Sequence, residues 1–135
     1  MKYFWQEMDG KAKKKTGKEG EDEACRFLID KGHTILERNW RSGHLEIDII
    51  SMDMDGIHFV EVKPRRPPMQ GNPEESVTAG KQRRIAAAAA RYLATRQCRA
   101  IGDMECMFDI ISIIITGDGD KTVRYYPAAY YPVFV

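Results

Sequence analysis

Hydrophobic and polar positions alternate along the chain with two periods, which predict helices and strands. Helical spacing predicts one helix from Thr16, a candidate N-cap, to Gly32, a typical stop signal, and a second over Glu74–Thr95, centred on an alanine run. Apolar runs predict five strands, at His33–Trp40, Leu45–Met52, Ile57–Lys63, Met107–Ile115 and Thr122–Tyr126. The order α-β-β-β-α-β-β predicts an α/β fold in which helices flank a mixed β-sheet.

Charged residues interrupt two of the apolar strands. Because side chains alternate between the faces of a strand, Glu46 and Asp48 share one face of the second strand, and Glu61 and Lys63 share one face of the third. If the two strands pair through the turn at 53–56, Asp48 comes opposite Glu61. We therefore expect these four side chains to converge near one edge of the sheet.

Other charges fall on the inward sides of the predicted elements. Glu21 lies on the helical stripe of Ala24 and Leu28, which should face the sheet. Lys81 lies on the inward face of the second helix, and Asp109 is the charged residue of the apolar fourth strand. Since an isolated buried charge is costly, this pattern requires either partners or a function.

Neighbouring carboxylates repel each other, and they either raise a pKa or recruit a cation. The three cysteines form no C-x-x-C pair and the histidines show no H-E-x-x-H spacing, so oxygen ligands and a hard ion, Mg²⁺ or Mn²⁺, are expected. Two carboxylates, such an ion and a lysine match metal-assisted phosphodiester hydrolysis. The structural alternative is an ion-pair network, Asp48–Lys63 with Glu61–Lys81, that only fixes strand register.

Length and composition restrict the class of protein. The chain has 135 residues, 43% of them hydrophobic and 30% charged, which is typical of one soluble globular domain. We expect a flexible basic leader at residues 1–15 and a single domain over 16–135. The longest apolar stretch is shorter than the ~20 residues of a membrane helix, and the N-terminal residues lack a secretory pattern. The expected location is the cytoplasm, without membrane contact.

Basic residues are clustered although the net charge is only +1. Five lysines fall within residues 11–18, and two further groups lie around Lys63 and Lys81. Clusters of this kind suit a phosphate-backbone partner, although a solvated face or a frayed terminus would look the same. The candidate phosphate contacts are Arg65, Arg66, Arg83 and Arg84.

The motifs GKEGEDEA, ERNWRSGHLEIDII, HFVEVKPRR, GNPEESVTAGKQRR and FDII occur in this order along the chain. Together they resemble the YraN-like family of small bacterial proteins, which is assigned to the PD-(D/E)xK nuclease superfamily and is similar to archaeal Holliday junction resolvases. The resemblance covers residues 16–115 and implies a restriction-endonuclease-like core.

The resemblance also implies roles for individual residues. Asp48 matches the metal-binding aspartate, and Glu61 matches the second acidic ligand, with the carbonyl of Val62 nearby. Lys63 matches the lysine that positions the attacking water. Glu21 matches an acidic residue that superfamily members use for an additional or water-mediated metal contact. These four charged residues form the implied catalytic set.

Three further polar residues, Glu46, Lys81 and Asp109, match recurrent positions of the family and are expected to support the site. Two positions depart from the pattern. Ile47 stands where the superfamily's name has a proline, and Pro64 follows the lysine where the family has a small hydroxyl residue. Because Pro64 lacks an N–H, the third strand must end there or lie at an edge.

The expected function is divalent-metal-dependent cleavage of DNA, with branched DNA a candidate substrate and DNA favoured over RNA. The alternative within the same fold is an accessory protein that binds nucleic acid without cleaving it. The apolar closing segment AAYYPVFV covers a sheet edge, contributes to a homodimer as in related resolvases, or is a last strand that packs on the chain's own core. A protein partner that sets specificity is also compatible with the sequence.

Overall fold

The computed structural model describes residues 10–68, 77–95 and 104–132. These residues contain two helices and five strands in the predicted order. In chain order they are α1 (Gly10–Asp30), β1 (Thr34–Ser42), β2 (Leu45–Met52), β3 (Ile57–Arg65), α2 (Ala79–Leu93), β4 (Cys106–Ile115) and β5 (Lys121–Tyr130).

The five strands form one mixed sheet in the order β1-β2-β3-β4-β5. Neighbouring strands are antiparallel except β3 and β4, which are parallel and are connected through α2. A parallel pair requires such a crossover, and α2 supplies it. The predicted α/β fold with a mixed sheet is confirmed.

Each face of the sheet carries one hydrophobic cluster. On one face, Ile85 and Tyr92 of α2 pack with Phe59 of β3 and other apolar residues. On the other face, Leu28 of α1 packs with Val60 and other apolar residues of the sheet. Because both faces are covered, β4, an interior strand between β3 and β5, is an almost continuous apolar run.

Both helices differ from their predicted bounds. The first begins at Gly10, so the prediction of Thr16 as its N-cap is wrong; the lysine- and alanine-rich segment before Thr16 has good helix propensity and extends the helix. The second begins after its N-cap Thr78, whose hydroxyl accepts a hydrogen bond from the N–H of Lys81 at 3.2 Å. Residues 1–9 of the predicted leader and 74–76 of the predicted helix lie outside the described residues.

The ladders on the two sides of β3 have different lengths. Pairing with β2 runs only from Met52↔Ile57 to Ile49↔Val60, whereas pairing with β4 continues to Arg65↔Ile114. The strand therefore passes through Pro64 but lies at a local edge there, as the missing N–H of proline requires. Beyond Val60 the sheet is open between β2 and β3.

The β2–β3 turn lies close to the start of β4. Gly56 has φ 144°, and a Cβ atom at this position would lie 2.2 Å from the carbonyl oxygen of Glu105. The N–H of Ile57 donates to the same carbonyl at 2.8 Å. Only glycine permits this approach, which fixes the turn against β4.

Neither helix in the described parts of the chain is long and apolar enough to cross a bilayer.

Candidate functional site

A cleft of about 260 Å³ lies where β2 and β3 separate. Both helices and both strands contribute to it. It is lined by Gly17, Glu21, Asp48, Glu61, Val62, Lys63, Pro64, Arg65 and Lys81. Three carboxylates and two lysines that lie far apart in the sequence are thus brought into one cleft.

Asp48 occupies the point where the β2–β3 ladder stops. Its Oδ2 accepts a hydrogen bond from the N–H of Val62 at 2.9 Å, in place of a ladder bond between the two strands. Burial, and then the charges of Glu61 and Glu21, raise the pKa of Asp48 to about 8, against the opposing effect of the Val62 N–H. The groups that line the cleft therefore do not fully stabilise a negative charge on Asp48.

Glu61 is buried, with 6% of its surface exposed, and lies between two lysines. Its Oε1 lies 2.5 Å from Nζ of Lys81 and 3.6 Å from Nζ of Lys63. Burial lowers the pKa of Lys63, although the charge of Glu61 opposes this. At Lys81 burial also acts to lower the pKa, but the charge and hydrogen bond of Glu61 outweigh it and the pKa is raised. Lys81 is therefore the main ion-pair partner of Glu61.

Glu21 reaches the cleft from α1 and is held by β1. Nδ2 of Asn39 donates to its Oε2 at 2.9 Å, and Nη2 of Arg38 lies 4.0 Å from the same oxygen. Asn39 has φ 51°, a left-handed conformation in which asparagine is enriched. Asn39 lies in the motif ERNWRS but was not predicted to be a site residue. Its left-handed conformation is a reason for asparagine at this position.

Two residues expected to support the site lie elsewhere. Glu46 is more than half exposed and pairs with Nε of Arg41 at 3.3 Å, so the expected convergence of four charges does not include it. Asp109 is fully buried in a second polar cluster, on the side of the sheet nearer α1. Lys81 is the supporting residue that lines the cleft.

The four candidate phosphate-contacting arginines lie on two elements. Arg65 lines the cleft at the end of β3, where Nη1 donates to the carbonyl of Pro64 at 3.1 Å, and Arg66 follows it. Arg83 and Arg84 are exposed on α2. These elements also carry Lys63 and Lys81, but of the four arginines it is Arg65 that lines the cleft.

The second polar cluster is centred on Asp109 and His58. Asp109 accepts hydrogen bonds from the hydroxyl of Tyr125 at 2.6 Å and the N–H of Ala128 at 2.8 Å, and its Oδ2 lies 2.6 Å from Nδ1 of His58. Nε2 of His58 lies 2.8 Å from Oδ1 of Asp53. Burial would lower the pKa of His58, but its hydrogen bonds to both carboxylates outweigh burial and raise the pKa.

His33 completes this cluster. Its Nδ1 lies 2.9 Å from Oγ of Ser51, and its Nε2 lies 3.3 Å from Oδ2 of Asp53. Burial and the neighbouring His58 lower the pKa of His33. His33, Asp53 and His58 could hold a metal ion, since one ligand atom from each lies within 4.8 Å of the others.

No local motif such as H-E-x-x-H marks this cluster in the sequence. Strand pairing brings its members together: Ser51 is opposite His58 in the β2–β3 ladder, and Thr34, which follows His33, is opposite Met52. The detectable signal is therefore long-range register rather than spacing in the sequence.

Comparison with known proteins identifies relatives over most of the chain. The sequence model of Uncharacterised protein family UPF0102 matches residues 20–113. A UPF0102 protein of Phocaeicola vulgatus is 40% identical over 119 residues, which cover 86% of this chain and 92% of the relative. A UPF0102 protein of Chlorobaculum tepidum is 43% identical over 110 residues, which cover 82% and 83% of the two chains.

Proposed function

Because the chain belongs to the UPF0102 family, within the restriction-endonuclease-like superfamily, we propose that it is a divalent-metal-dependent endonuclease that hydrolyses DNA phosphodiester bonds. The observation that carries the proposal is the cleft at the β2–β3 separation, which combines three carboxylates with two lysines. A binding protein without chemistry has little need to hold these like charges together at an energetic cost.

The donor set of the cleft suits a hard divalent cation. Asp48 and Glu61 would bind Mg²⁺ or Mn²⁺, since carboxylate oxygens are the ligands that these ions prefer. The carbonyl of Val62 faces the same opening as its N–H, because both groups of a strand residue point to the same side. The raised pKa of Asp48 supports the fit, because a cation would offset both the burial and the repulsion by Glu61 that raise it. When bound, the ion supplies Lewis-acid polarisation of the phosphate and lowers the pKa of a water.

The remaining residues of the cleft would position the reactants. Lys63 would orient the attacking water and stabilise charge that develops on the phosphate. Glu21, held by Asn39, would accept a hydrogen bond from that water or from the hydration shell of the ion. Lys81 would neutralise Glu61 while the cleft holds no cation.

DNA is the proposed substrate because Lys63, Arg65 and Lys81 line the cleft and further arginines lie on the same elements. Arg65 and Arg66 on one side and Arg83 and Arg84 on the other would contact backbone phosphates and carry no sequence information themselves. Such contacts suit recognition of DNA shape. The proposal extends to a preference for branched DNA, to a homodimer and to a partner protein that sets specificity. These extensions derive from the resemblance to junction resolvases.

Cleavage of labelled linear, nicked, flapped and four-way-junction DNA in Mn²⁺ and in Mg²⁺ tests the proposal. The active protein should lose cleavage in Asp48→Asn and Lys63→Met but keep it in Glu46→Gln. Glu46 is the matched control, since it is an acid on the same face of β2 that pairs with Arg41 outside the cleft.

Three results would contradict the proposal. Cleavage that persists in Asp48→Asn would place the activity elsewhere or in a contaminant. Binding of DNA without cleavage, unchanged by EDTA and by both variants, would identify the protein as a non-catalytic nucleic-acid-binding accessory protein. Absence of both DNA and metal affinity would favour the Glu61–Lys81 pair as a purely structural ion pair.

A further inference from the structure

We propose that His33, Asp53 and His58 form a separate binding site for a first-row transition-metal ion such as Zn²⁺. This site is independent of the proposed nuclease cleft. His58 lies near the start of β3, and Glu61 lies three residues further along the strand, so the two side chains project from opposite faces.

The ligand atoms already have a spacing close to that of a coordination shell. Nε2 of His58 lies 2.8 Å from Oδ1 of Asp53, and Nε2 of His33 lies 3.3 Å from Oδ2. Zn–ligand bonds of 2.0–2.1 Å in tetrahedral geometry separate the ligand atoms by about 3.4 Å. Small side-chain rotations therefore suffice to admit the ion.

Each proposed ligand forms a hydrogen bond with a further group that fixes its orientation. Nδ1 of His33 is hydrogen-bonded to the hydroxyl of Ser51, and Nδ1 of His58 is hydrogen-bonded to the buried carboxylate of Asp109. Oδ1 of Asp53 accepts the N–H groups of Asp55 and Gly56 in the β2–β3 turn. Metal-binding histidines almost always have such a partner at the other ring nitrogen, which fixes the ring and the tautomer. This support makes the cluster a preorganised site.

The hydrogen-bond geometry also favours a proton or a cation between His58 and Asp53. Tyr125 and Ala128 both donate to Asp109, and if Asp109 acts as an acceptor throughout, Nδ1 of His58 donates to it as well. Nε2 of His58 then faces a carboxylate oxygen at 2.8 Å, where two lone pairs would repel each other. Either a second proton or a metal ion must lie there, and a metal ion also satisfies Nε2 of His33.

The ligand types select the class of ion. Two imidazoles and one carboxylate suit Zn²⁺ and Fe²⁺, whereas Mg²⁺ prefers oxygen ligands. A surface cleft of about 570 Å³ adjoins the cluster and gives the ion a path of entry and room for a water ligand. It is lined by Phe27, Lys31, His33, Asp53, Asp55, His58, Tyr125 and Pro127. Bound metal would tie the start of β1 to the β2–β3 turn and so stabilise the fold.

Metal titration of protein freed of metal with EDTA tests the site. Isothermal titration calorimetry in excess Mg²⁺ should detect one Zn²⁺ per chain, and Zn²⁺ should raise the melting temperature. An anaerobic titration with Fe²⁺ distinguishes the two candidate ions. His33→Gln and His58→Gln should abolish binding, while His44→Gln, an exposed histidine in the β1–β2 turn, should not change it.

A milder variant tests the site even if the histidine variants do not fold. Ser51→Ala removes only the hydroxyl that is hydrogen-bonded to Nδ1 of His33, and it should weaken Zn²⁺ binding roughly 10–100-fold. The Asp48→Asn/Glu61→Gln double variant, which disables the proposed nuclease cleft, should retain the Zn²⁺ site. Zn²⁺ binding that is lost in that double variant, or that is equal in folded wild-type, Ser51→Ala and His33→Gln proteins, would overturn the proposal. So would failure of the wild-type protein to bind either ion in excess Mg²⁺.

Discussion

Asp48→Asn should make the metal-free protein more stable while it abolishes the proposed activity. Burial beside Glu61 and Glu21 raises the pKa of Asp48 from an ordinary value near 3.8 to about 8. An asparagine keeps a side-chain oxygen to accept the Val62 N–H and carries no charge that its surroundings oppose. The substitution therefore removes a repulsion without removing the hydrogen bond.

The size and sign of the effect follow from the two pKa values. Between about pH 4 and pH 8 the folded protein binds a proton at Asp48 that the unfolded chain does not, so wild-type stability falls as the pH rises through this window. At ~1.4 kcal/mol per pKa unit the full loss is at most ~6 kcal/mol. Relaxation of the cleft and the cost of burying an amide reduce this, and we expect a gain of about 2–3 kcal/mol for the variant at pH 9.

Urea unfolding in EDTA at several pH values measures this gain. The advantage of Asp48→Asn should be small near pH 4, grow towards pH 8 and then stay constant. Glu46→Gln is the control, and because its ion pair with Arg41 is exposed, its stability should change by less than about 1 kcal/mol at every pH. A variant that is less stable than wild type at pH 9, or a gain equal at pH 4 and pH 9, would refute the reasoning.

Two other substitutions test the turn and the cleft. Gly56→Ala should lower the free energy of unfolding by roughly 2–4 kcal/mol in urea titration, because its Cβ would lie 2.2 Å from the Glu105 carbonyl oxygen. Gly119→Ala, which has positive φ but open space, should cost only about 1–2 kcal/mol, and equal costs would contradict the steric argument. Lys81→Gln should tighten Mg²⁺ binding several-fold by calorimetry, because a cation that competes for Glu61 is removed. Weaker or unchanged Mg²⁺ binding would show that Lys81 does not compete.

Local patterns were sufficient to predict the order of the elements and the β2–β3 register. The alternation in LEIDII and the Asp-Gly turn implied that Asp48 lies opposite Glu61. The last pair of the ladder is Ile49↔Val60, and the next position in the same register is Asp48 opposite Glu61. The start of α1 could not be predicted in the same way, since the lysine- and alanine-rich segment favours helix without marking where it begins. A cap residue such as Thr16 marks a start only where the preceding residues cannot continue the helix.

The candidate site was predictable only where it depends on face alternation. Helical and strand periods placed Glu21, Glu61 and Lys81 on inward faces, and all three line the cleft. Glu46 lies on the same face of β2 as Asp48. It lies further from the last β2–β3 ladder pair, near the β1–β2 turn, and forms an ion pair with Arg41 there. Asp109 was recognised as a buried charge, but its partners come from β3 and β5, and no spacing in the sequence indicates them.

The proline after Lys63 has a consequence for self-association. Val62 and Pro64 direct their backbone groups toward the gap left by β2, since alternate residues of a strand face the same neighbour. The Val62 N–H is already bonded to Asp48, and Pro64 has no N–H to offer. A strand from another molecule would find no free donor at these two residues, so β3 does not favour extension of the sheet there. The Val62 carbonyl lies on the same side, and the Pro64 carbonyl accepts a hydrogen bond from Arg65, so this part of β3 offers acceptors rather than free donors and resists β-strand addition.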